Sequence, residues 1–501
     1  MGNVLVKEET LTQIADAIRE KSGSNDCYRP REMAEAILDI STYSGEGADP
    51  NKPIRFFGPY GDLVYSYTFT EISALTELPP LPEYKGLIGQ EWNWSLENIV
   101  AENKELEVAS LYTTDDGSTR IYVTLNDEML STNIGFMQKE ANTVWVDWGD
   151  RSPLESSDTY GYLNLVSIGH TYKKEGNYVI RLIPNEDATF WLVGDTNCTY
   201  ILHKVPRGSI ENMVFANSIT KVEIGRGMTS FTECCFCSYK IKYVTIPKEI
   251  TDFARGFQKS YALEYIAFPR NLKNLTSSAI QDCISLKRVV FSDTDLSLTQ
   301  YSFYKCESLR KVILSSKTRF HGGYVFSDCK LLEEIDLSQN GTEVPESPCN
   351  GCRSLRKVKF PETLWRIGAN AFRSCEKLEE VEIPDTVHTI ASNAFGYCYS
   401  LRKINIPEGV TTISGSLFYN CYSLQKIVIP KTVEVIENYA FNKCYGIENY
   451  YLYPINPPTL SKDPVFASTS FNIHVPKGCL EAYQTAEYWS EYADHMVEME
   501  E

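Results

Sequence analysis

The stretch AFGYCYSLRKINIPEGVTTISGSLFYNCYSLQKIVIP, from Ala394 to Pro430, states one pattern twice at a step of 23 residues. The same step separates eight cysteines: Cys283, Cys306, Cys329, Cys352, Cys375, Cys398, Cys421 and Cys444. A disulfide framework does not need equal spacing, whereas a structural repeat does. The cysteines therefore predict a repeat of 23 residues in which each cysteine marks the same position.

Apolar residues recur at fixed distances after each cysteine. Three residues on stand Leu286, Leu309, Leu332, Leu355, Leu378, Leu401, Leu424 and Ile447. Six and eight residues on stand aliphatic residues or phenylalanine, from Val289 and Phe291 to Ile427 and Ile429. A period of two predicts the inward face of a short strand. One such unit cannot bury its apolar side alone, so we predict a mainly β solenoid of stacked rungs, one repeat to a rung.

Weaker copies extend the array on both sides, and Ser260 stands in place of the cysteine in one of them. The apolar pairs of these copies are Val222 and Ile224, Val244 and Ile246, Ile266 and Phe268, and Tyr450 and Leu452. About eleven rungs at ~4.8 Å each give a stack roughly 50 Å long. We expect the cysteines to be reduced, small buried hydrophobes. Adjacent rungs about 5 Å apart would also be close enough for disulfides, so that alternative stays open.

The segment LRKVKFPETLWRIGANAFRSCEKLEEVEIPDTVHTIASNAFGYC, from Leu355 to Cys398, resembles the 23-residue leucine-rich repeat of the BspA-like (treponemal) class. The likeness extends from about residue 215 to 455. The resemblance implies a right-handed solenoid with a sheet on one face. It also implies a role in adhesion and in the recognition of proteins or surfaces.

The outward positions four and five residues after the cysteine carry charges whose sign alternates from rung to rung. This charge ladder consists of Arg310, Lys311, Glu333, Glu334, Arg356, Lys357, Glu379, Glu380, Arg402 and Lys403. Each charged pair would lie beside its opposite in a parallel stack, which favours ion pairs that fix the register. The alternative is a docking surface for a charged partner, although steering a ligand needs one sign concentrated.

Tyrosine is abundant, with 32 residues, and several cluster near the end of the repeats. The candidates for surface recognition are Tyr397, Tyr399, Tyr419, Tyr422, Tyr445, Tyr450, Tyr451 and Tyr453. Tyrosine offers a flat apolar ring with a polar tip, which suits recognition and stacking on sugars. The alternative is that these rings only cover the connections between rungs.

The segment before the repeats divides into three parts. Residues 1–45 hold two short amphipathic helical patterns, LTQIADAIREK and REMAEAILDI. This part resembles a segment at the start of tail-associated proteins of phages that infect Gram-positive gut bacteria, so we predict a helical attachment segment. Residues 46–118 contain alternating strands such as LVYSYTF and form a small β-rich module, which looks like one found between that segment and leucine-rich repeats.

Residues 119–195 contain VWVDWGDRSP and GHTYKKEGNYVIRLIP, which resemble a PKD-type β-sandwich. Its characteristic WGD turn corresponds to Asp147 to Asp150, and its paired strands to His170, Tyr172, Gly176 and Tyr178. Arg151 departs from the glycine that usually follows that turn. Asp150 and His170 could suggest acid–base chemistry or a metal, but a capping carboxylate and a packed histidine explain them better.

Composition limits the function classes. Hydrophobic residues make up 43% of the 501 residues and the net charge is −18, which fits folded protein and disfavours nucleic acid as a partner. No signal-peptide pattern or run of about 18 apolar residues predicts export or membrane insertion. No metalloprotease, serine-hydrolase or phosphate-loop motif occurs. The cysteine cluster CCFC, from Cys234 to Cys237, lacks a second pair for a metal. We expect no catalysis, cofactor or metal.

The predicted order is a helical segment 1–45, a β-rich module 46–118, a sandwich 119–195, a solenoid cap with a degenerate repeat 196–236, repeats 237–455 and a C-terminal cap 456–501. From the resemblances we hypothesise a non-enzymatic phage tail or tail-fibre protein that binds a bacterial surface glycan or protein. Residues 1–45 would contact other tail proteins, the protein would reside in the virion after assembly in the bacterial cytoplasm, and a homotrimer is conceivable. The alternatives are a bacterial cell-surface adhesin of the BspA-like class and an intracellular protein-binding scaffold.

Overall fold

The structure is a computed structural model that describes residues 48–500 apart from 127–129, 162–163, 194–217, 233–237, 255, 339–340 and 467–470. The attachment segment predicted for residues 1–45, the CCFC cluster and most of the predicted cap 196–236 lie outside the described residues. The fold is mainly β, with a solenoid of about eleven rungs, which confirms the predicted fold class and rung number. Within the described part of the chain, no helix has the length and apolar character to cross a membrane.

A small N-terminal module occupies residues 48–118. Its elements are β1 (Ile54–Phe57), β2 (Leu63–Tyr67), α1 (Phe69–Ser73), β3 (Leu87–Trp92), α2 (Leu96–Glu102) and β4 (Leu106–Thr114). The sheet order is β2-β1-β4-β3, with β1 and β4 parallel. Thr68 and Glu71 form a capping box at the start of α1, and Asn103 ends α2 in the left-handed conformation. These local signals set the two short helices beside the sheet.

Two sheets follow the module and pack face to face. Their first strands are β5 (Thr119–Leu125), β6 (Ser131–Gln138), β7 (Val144–Asp147), β8 (Val166–Thr171), β9 (Gly176–Pro184) and β10 (Phe190–Val193). Alternate residues of β5 are buried, as expected for a strand with one face on a core. Trp148 and Tyr172 are buried between the sheets, and the Tyr172 hydroxyl donates to the Trp148 carbonyl.

The two sheets of the sandwich continue directly into the solenoid. The connecting strands are β11 (Ile219–Glu223), β12 (Met228–Thr232), β13 (Val244–Thr245) and β14 (Asp252–Ala254). One sheet has the order β13-β11-β5-β9-β7 and the other β14-β12-β10-β6-β8. Strand β11 pairs antiparallel with β5 and parallel with β13. The sandwich therefore closes the N-terminal end of the solenoid by hydrogen bonding.

Each rung contributes two short strands to two separate parallel columns. The first column contains β15 (Tyr265–Ala267), β17 (Arg288–Val290), β19 (Lys311–Val312), β21 (Glu334–Asp336), β23 (Lys357–Lys359), β25 (Glu380–Val381), β27 (Lys403–Ile404), β29 (Lys426–Ile429) and β31 (Asn449–Leu452). The second contains β16 (Asn274–Leu275), β18 (Ser297–Leu298), β20 (Arg319–Phe320), β22 (Glu343–Val344), β24 (Arg366–Ile367), β26 (Thr389–Ile390), β28 (Thr412–Ile413), β30 (Val435–Ile436) and β32 (Thr459–Leu460). Sequence analysis predicted the first column and missed the second.

The turns before the cysteines explain how rungs hold together away from the strands. Two residues per repeat have positive φ, one and five residues before the cysteine, such as Tyr397 and Asn393. The N–H groups at these positions donate to carbonyls of the next rung, as Tyr397 does to Tyr419 and Asn393 to Gly415. The alternation of backbone handedness turns these N–H groups toward the same neighbour. Three such bonds, including one from the residue between them, link Cys398's turn to the next rung.

The C-terminal end is covered by β33 (Asn472–Val475), α3 (Leu480–Thr485), a 3-10 helix (Trp489–His495) and β34 (Met496–Glu498). Strands β33 and β34 extend the first column in parallel. Tyr483 and Trp489 are buried, and their polar atoms donate to the carbonyls of Pro454 and Pro458 at 2.7 Å each. Two buried aromatic side chains thus fix the last loop of the solenoid.

Candidate binding surfaces

The cysteines form a buried column in which each thiol has a defined hydrogen-bond partner. Each Sγ donates to a carbonyl of the preceding rung, 26 residues earlier, at 2.9 Å from Cys444 to Phe418 and 3.4 Å from Cys375 to Cys349. Ser238, which stands in place of the cysteine one rung before Ser260, donates to the Ile219 carbonyl, 19 residues earlier, at 3.0 Å. All eight repeat cysteines are free, and burial raises the pKa of the Cys398 thiol to about 12. The residue is a donor as well as the small hydrophobe that the sequence predicted.

The outward surface of the first strand column, here called the strand face, changes character along the solenoid. Its seventh-position column, counted from the cysteine or its equivalent, runs through Ala267, Val290, Ile313, Asp336, Lys359, Glu382, Asn405, Val428, Tyr451, His474 and Val497. Side chains at both ends are apolar or aromatic, and those in the middle are charged or polar. The two ends therefore have the composition of contact surfaces.

The N-terminal module covers the first of these ends. Phe57 and Ala109 of the module pack with Ala267 and Val290, which are 6% and 0% exposed. Ile313, one rung further on, packs against the core of the module. The first two residues of the column are therefore buried, and the third is partly buried, against another part of the same chain.

Buried hydrogen bonds fix the module in this place. The Trp94 indole donates to the Phe291 carbonyl at 2.7 Å, and the Asn93 amide donates to the Phe268 carbonyl at 3.1 Å. The buried Asp293 carboxylate accepts bonds from the Ser95 N–H and the Asn98 amide, at the start of α2. These bonds make the contact costly to open, because each of these buried polar groups would be left without its partner.

Carboxylates at the edge of the module pair with cations of the strand face. Glu105 lies 2.5 Å from Lys311, and Glu107 lies 3.3 Å from Arg288. Arg288 also lies over the Phe57 ring at 4.2 Å. Partial burial raises the pKa of Glu105, but hydrogen bonds from Lys311 and Arg55 outweigh it and leave this pKa below its ordinary value. The covering surface is thus both apolar and acidic.

The other end of the seventh-position column is open to solvent. Val428 and Val497 are 43% and 44% exposed. Tyr451 and His474 between them stack at 4.6 Å with nearly parallel rings, and His474 Nε2 lies 2.8 Å from Asn449 Oδ1. These four residues are called the open end of the strand face. They form a contiguous apolar and aromatic strip across four neighbouring strands.

The predicted charge ladder forms ion pairs over only part of its length. Arg310 lies 3.0 Å from Glu333, Arg356 3.8 Å from Glu379, and Lys357 3.7 Å from Glu334. Lys311 is drawn away to Glu105 of the module. Within the described part of the chain, Glu380, Arg402 and Lys403 have no ion-pair partner within 4 Å. The last cations of the ladder therefore face solvent.

The predicted tyrosines separate into three groups. Tyr399, Tyr422 and Tyr445 form a parallel stack, with ring centroids 5.2 and 5.9 Å apart. Tyr397 and Tyr419 lie in the turns, under Arg373 at 4.5 Å and Lys443 at 5.2 Å respectively. Because the stacked rings cover one another's faces, sugar stacking on the inner faces of this group is blocked.

Tyr450, Tyr451 and Tyr453 lie on and after one strand, and they differ in burial. Tyr450 is 0% exposed and packs against Phe441 and Phe466, so its prediction as a recognition residue is wrong. It stands six residues after Cys444, which is an inward position. Tyr451 belongs to the open end, and Tyr453 is half exposed beyond it.

A tyrosine pair at the other end of the solenoid was missed from the sequence. Tyr239 and Tyr261 stack at 4.9 Å, one residue after the two serines that replace the cysteine. Tyr399, Tyr422 and Tyr445 hold this same first position in later rungs. Between them the position holds Ile284 and then four charged residues, with Lys330 2.6 Å from Glu307 and Arg353 3.5 Å from Glu376. Aligning the serines with the cysteines would have shown this column.

Asp150 and His170 lie together in the sandwich, with Oδ2 of Asp150 2.9 Å from Nε2 of His170. Asp150 also accepts the Ser152 N–H, and His170 stacks on Trp148 at 4.8 Å. Partial burial raises the pKa of Asp150, but bonds from Ser152 and His170 prevail and lower it to about 2. The pair stabilises a turn. Over the described ranges no group of three or more His, Cys, Asp or Glu residues could hold a metal.

Comparison with known proteins identifies the repeat. The BspA type leucine rich repeat region matches in six copies, over residues 195–294, 254–379 and 366–479. No curated protein matches the chain at a significant level. The PKD-type resemblance of the sandwich and the phage-tail resemblance of residues 1–45 find no support in these comparisons.

Several solved structures are similar. A leucine-rich repeat protein from Bacteroides ovatus is 20% identical, with 64% of this chain and 97% of that chain covered and a TM-score of 0.34. A leucine rich cell surface protein from Faecalibacterium prausnitzii is 18% identical, with coverages of 61% and 96% and a TM-score of 0.26. The pneumococcal vaccine antigen PcpA is 16% identical, with coverages of 54% and 76% and a TM-score of 0.34. Because the repeat match spans more than half of the sequence, this chain belongs to the BspA type leucine rich repeat family.

Proposed function

We propose that this protein is a non-catalytic binding protein displayed on a bacterial cell surface, and that it adheres through the open end of its strand face. The observation that carries the proposal is the strip of Val428, Tyr451, His474 and Val497, which is apolar and solvent-exposed in part. Apolar strips of this kind mark contact sites in folded proteins. At the opposite end of the same column, an equivalent strip is buried under the N-terminal module.

Surface display follows the alternative hypothesis drawn from the sequence. Among the similar structures, one carries the description of a cell surface protein and another that of a vaccine antigen. The phage-tail hypothesis depended on residues 1–45, which lie outside the described residues. We therefore prefer the adhesin interpretation, with binding strength gained from many copies on one surface.

Localisation is tested by protease treatment of intact cells of the encoding bacterium, followed by peptide mass spectrometry. Release of peptides from the repeats into the supernatant is the expected result. Recovery of the peptides only with gradient-purified phage particles would contradict surface display and restore the phage-tail hypothesis. Recovery only after lysis, in the soluble fraction, would favour the intracellular scaffold.

Adhesion is tested with the purified full chain, fluorescently labelled, on cells of the encoding bacterium and on cultured epithelial cells. The double variant Val428→Ser and Tyr451→Ser should lose most of the binding, because it removes two of the four side chains of the strip without touching the core. The matched control is Lys359→Ser, at the same position of a charged rung. Equal loss in the control, or no loss in the double variant, would remove the open end from the binding surface.

A further inference from the structure

The two ends of the strand face share part of one arrangement of side chains. At the covered end, Arg288 and Lys311 hold the fifth position of their rungs, and Val290 and Ile313 follow two residues later. At the open end, Lys403 and Lys426 hold the fifth position, and Val428 follows Lys426 two residues later, beside Tyr451 of the next rung. Cations thus stand beside an apolar strip in both places.

The covered end shows which surface fits this layout. Glu105, Glu107 and Ala109 alternate along the segment that leads into and forms β4, so their side chains share one side of an extended backbone. That side meets the strand face, with Glu105 on Lys311, Glu107 on Arg288 and Ala109 in the cluster around Val290. The occupant is an extended segment with carboxylates at alternate positions, followed by a small apolar residue.

The open end lacks this complement. Lys403 and Lys426 occupy the same position in consecutive rungs, are exposed, and have no ion-pair partner within 4 Å among the described residues. In the paired strands Lys403 lies opposite Glu380 and Lys426 lies opposite Asn449, so a carboxylate of a partner would supply the counter-charge that Lys426 lacks among the described residues. The exposed Val428 beside them supplies the apolar part of the contact.

We infer that the open end binds an extended acidic segment of a partner protein, with carboxylates at alternate positions and apolar residues on the same side. This inference rests on the proposed function and names the class of partner. Carboxylates of the segment pair with Lys403 and Lys426, and its apolar side chains cover Val428 and Tyr451. The charge pairs set orientation and specificity, while burial of the strip supplies affinity.

The test uses fluorescence anisotropy with the full chain and a labelled peptide of the sequence KELEVASLY, which is that of the chain's own covering segment from Lys104 to Tyr112. A second peptide carries glutamine in place of both glutamates. The acidic peptide should bind more tightly, by about fivefold or more, since one lost charge pair of ~1 kcal/mol corresponds to that factor. Raising the salt concentration should reduce the difference.

Variants of the full chain locate the binding. The pair Lys403→Gln and Lys426→Gln should weaken binding of the acidic peptide and leave that of the glutamine peptide unchanged. The matched control Lys357→Gln, at the fifth position of a middle rung, should change neither. The variant Lys311→Gln tests whether the peptide instead displaces the N-terminal module and binds at the covered end. An effect confined to that variant would overturn the inference.

The outcome is distinguishable from failure of the proposed function. If both peptides bind equally, or if the Lys403 and Lys426 variants have no effect, the acidic partner class is wrong. In that case, the proposed function still stands if the double variant Val428→Ser and Tyr451→Ser loses its binding to cells. If the cells do not bind at all but the acidic peptide does, the partner class stands and cell adhesion fails.

Discussion

The two ends of the strand face have similar composition but different surroundings. Val290 and Val428 hold the same position in their repeats, and the first is 0% exposed whereas the second is 43% exposed. The first lies under the N-terminal module and the second faces solvent. The same residue type at the same repeat position therefore serves folding at one end and is available for binding at the other. The repeat alone does not decide which.

The largest effect on stability is expected from a substitution that disrupts the contact between the N-terminal module and the strand face. Trp94→Ala removes a buried indole and its bond to Phe291, so we expect a loss of about 3–5 kcal/mol in the free energy of unfolding. The measurement is urea unfolding followed by circular dichroism. Trp365→Ala is the matched control, because Trp365 is exposed on a middle rung, and a change of about 0.5 kcal/mol or less is expected. Equal effects would mean that the module does not stabilise the solenoid.

Val290 and Val428 test the comparison between the two ends directly, because they hold the same repeat position. Val290→Ser loses apolar burial and places a hydroxyl in a dry contact, which should cost about 2–3 kcal/mol. Val428→Ser should change the free energy of unfolding by about 0.5 kcal/mol or less, because water already reaches the side chain. Both values follow from urea unfolding. A large cost at Val428 would show that the open end is covered in solution, for example by a second copy.

Acid should weaken the covered end through Glu105. Its pKa is lowered in the folded protein, so its contribution is complete above the ordinary glutamate pKa of about 4.3 and is lost as the pH falls through the lowered value. At neutral pH, Glu105→Gln should cost about 1 kcal/mol or less, since the carboxylate is partly exposed. The difference in melting temperature between the variant and the original protein should shrink with acidification. A difference that is constant from pH 7 to 3 would contradict this account.

The smallest effect is expected on the middle rungs. Arg356 and Glu379 are both about half exposed at 3.8 Å, so Arg356→Ala should cost about 0.5 kcal/mol or less, and salt should reduce this further. Melting temperatures at low and high salt measure it. A clear loss of stability that persists in high salt would contradict this expectation, because it would mean that the charge ladder contributes substantially to the stability of the fold.

The sequence predicted the solenoid because its signal is local and periodic. The residues equivalent to Cys398 and Leu401 recur every 23 positions, and Val381 and Ile383 show the period of two that is typical of a strand. The second strand column was missed although Ile390, Ile413 and Ile436 also recur eight residues before the cysteines. Tyr450 was placed on the surface by residue type, whereas its inward position in the repeat predicts burial.

The covering of one end could not be predicted from the repeat. It depends on contacts between residues far apart in the sequence, such as Asn93 and Phe268, which are separated by 175 positions. No local pattern at Val290 distinguishes a valine that will be covered from one that will stay open. No local pattern distinguishes Lys311 from Lys426 either. Lys311 has an ion-pair partner because the N-terminal module docks beside it.

The turns before the cysteines have a consequence for how such a protein changes over time. The positive-φ position just before the cysteine is filled by the partly exposed Asp282, Lys305, Ser374 and Tyr397 in different repeats, with the same backbone bonds to the next rung. Since the backbone network rather than the side chain holds the shape, substitutions here alter surface chemistry with little cost to folding. The surface along this edge can therefore change one residue at a time in a lineage of related proteins, while the scaffold beneath it is inherited intact.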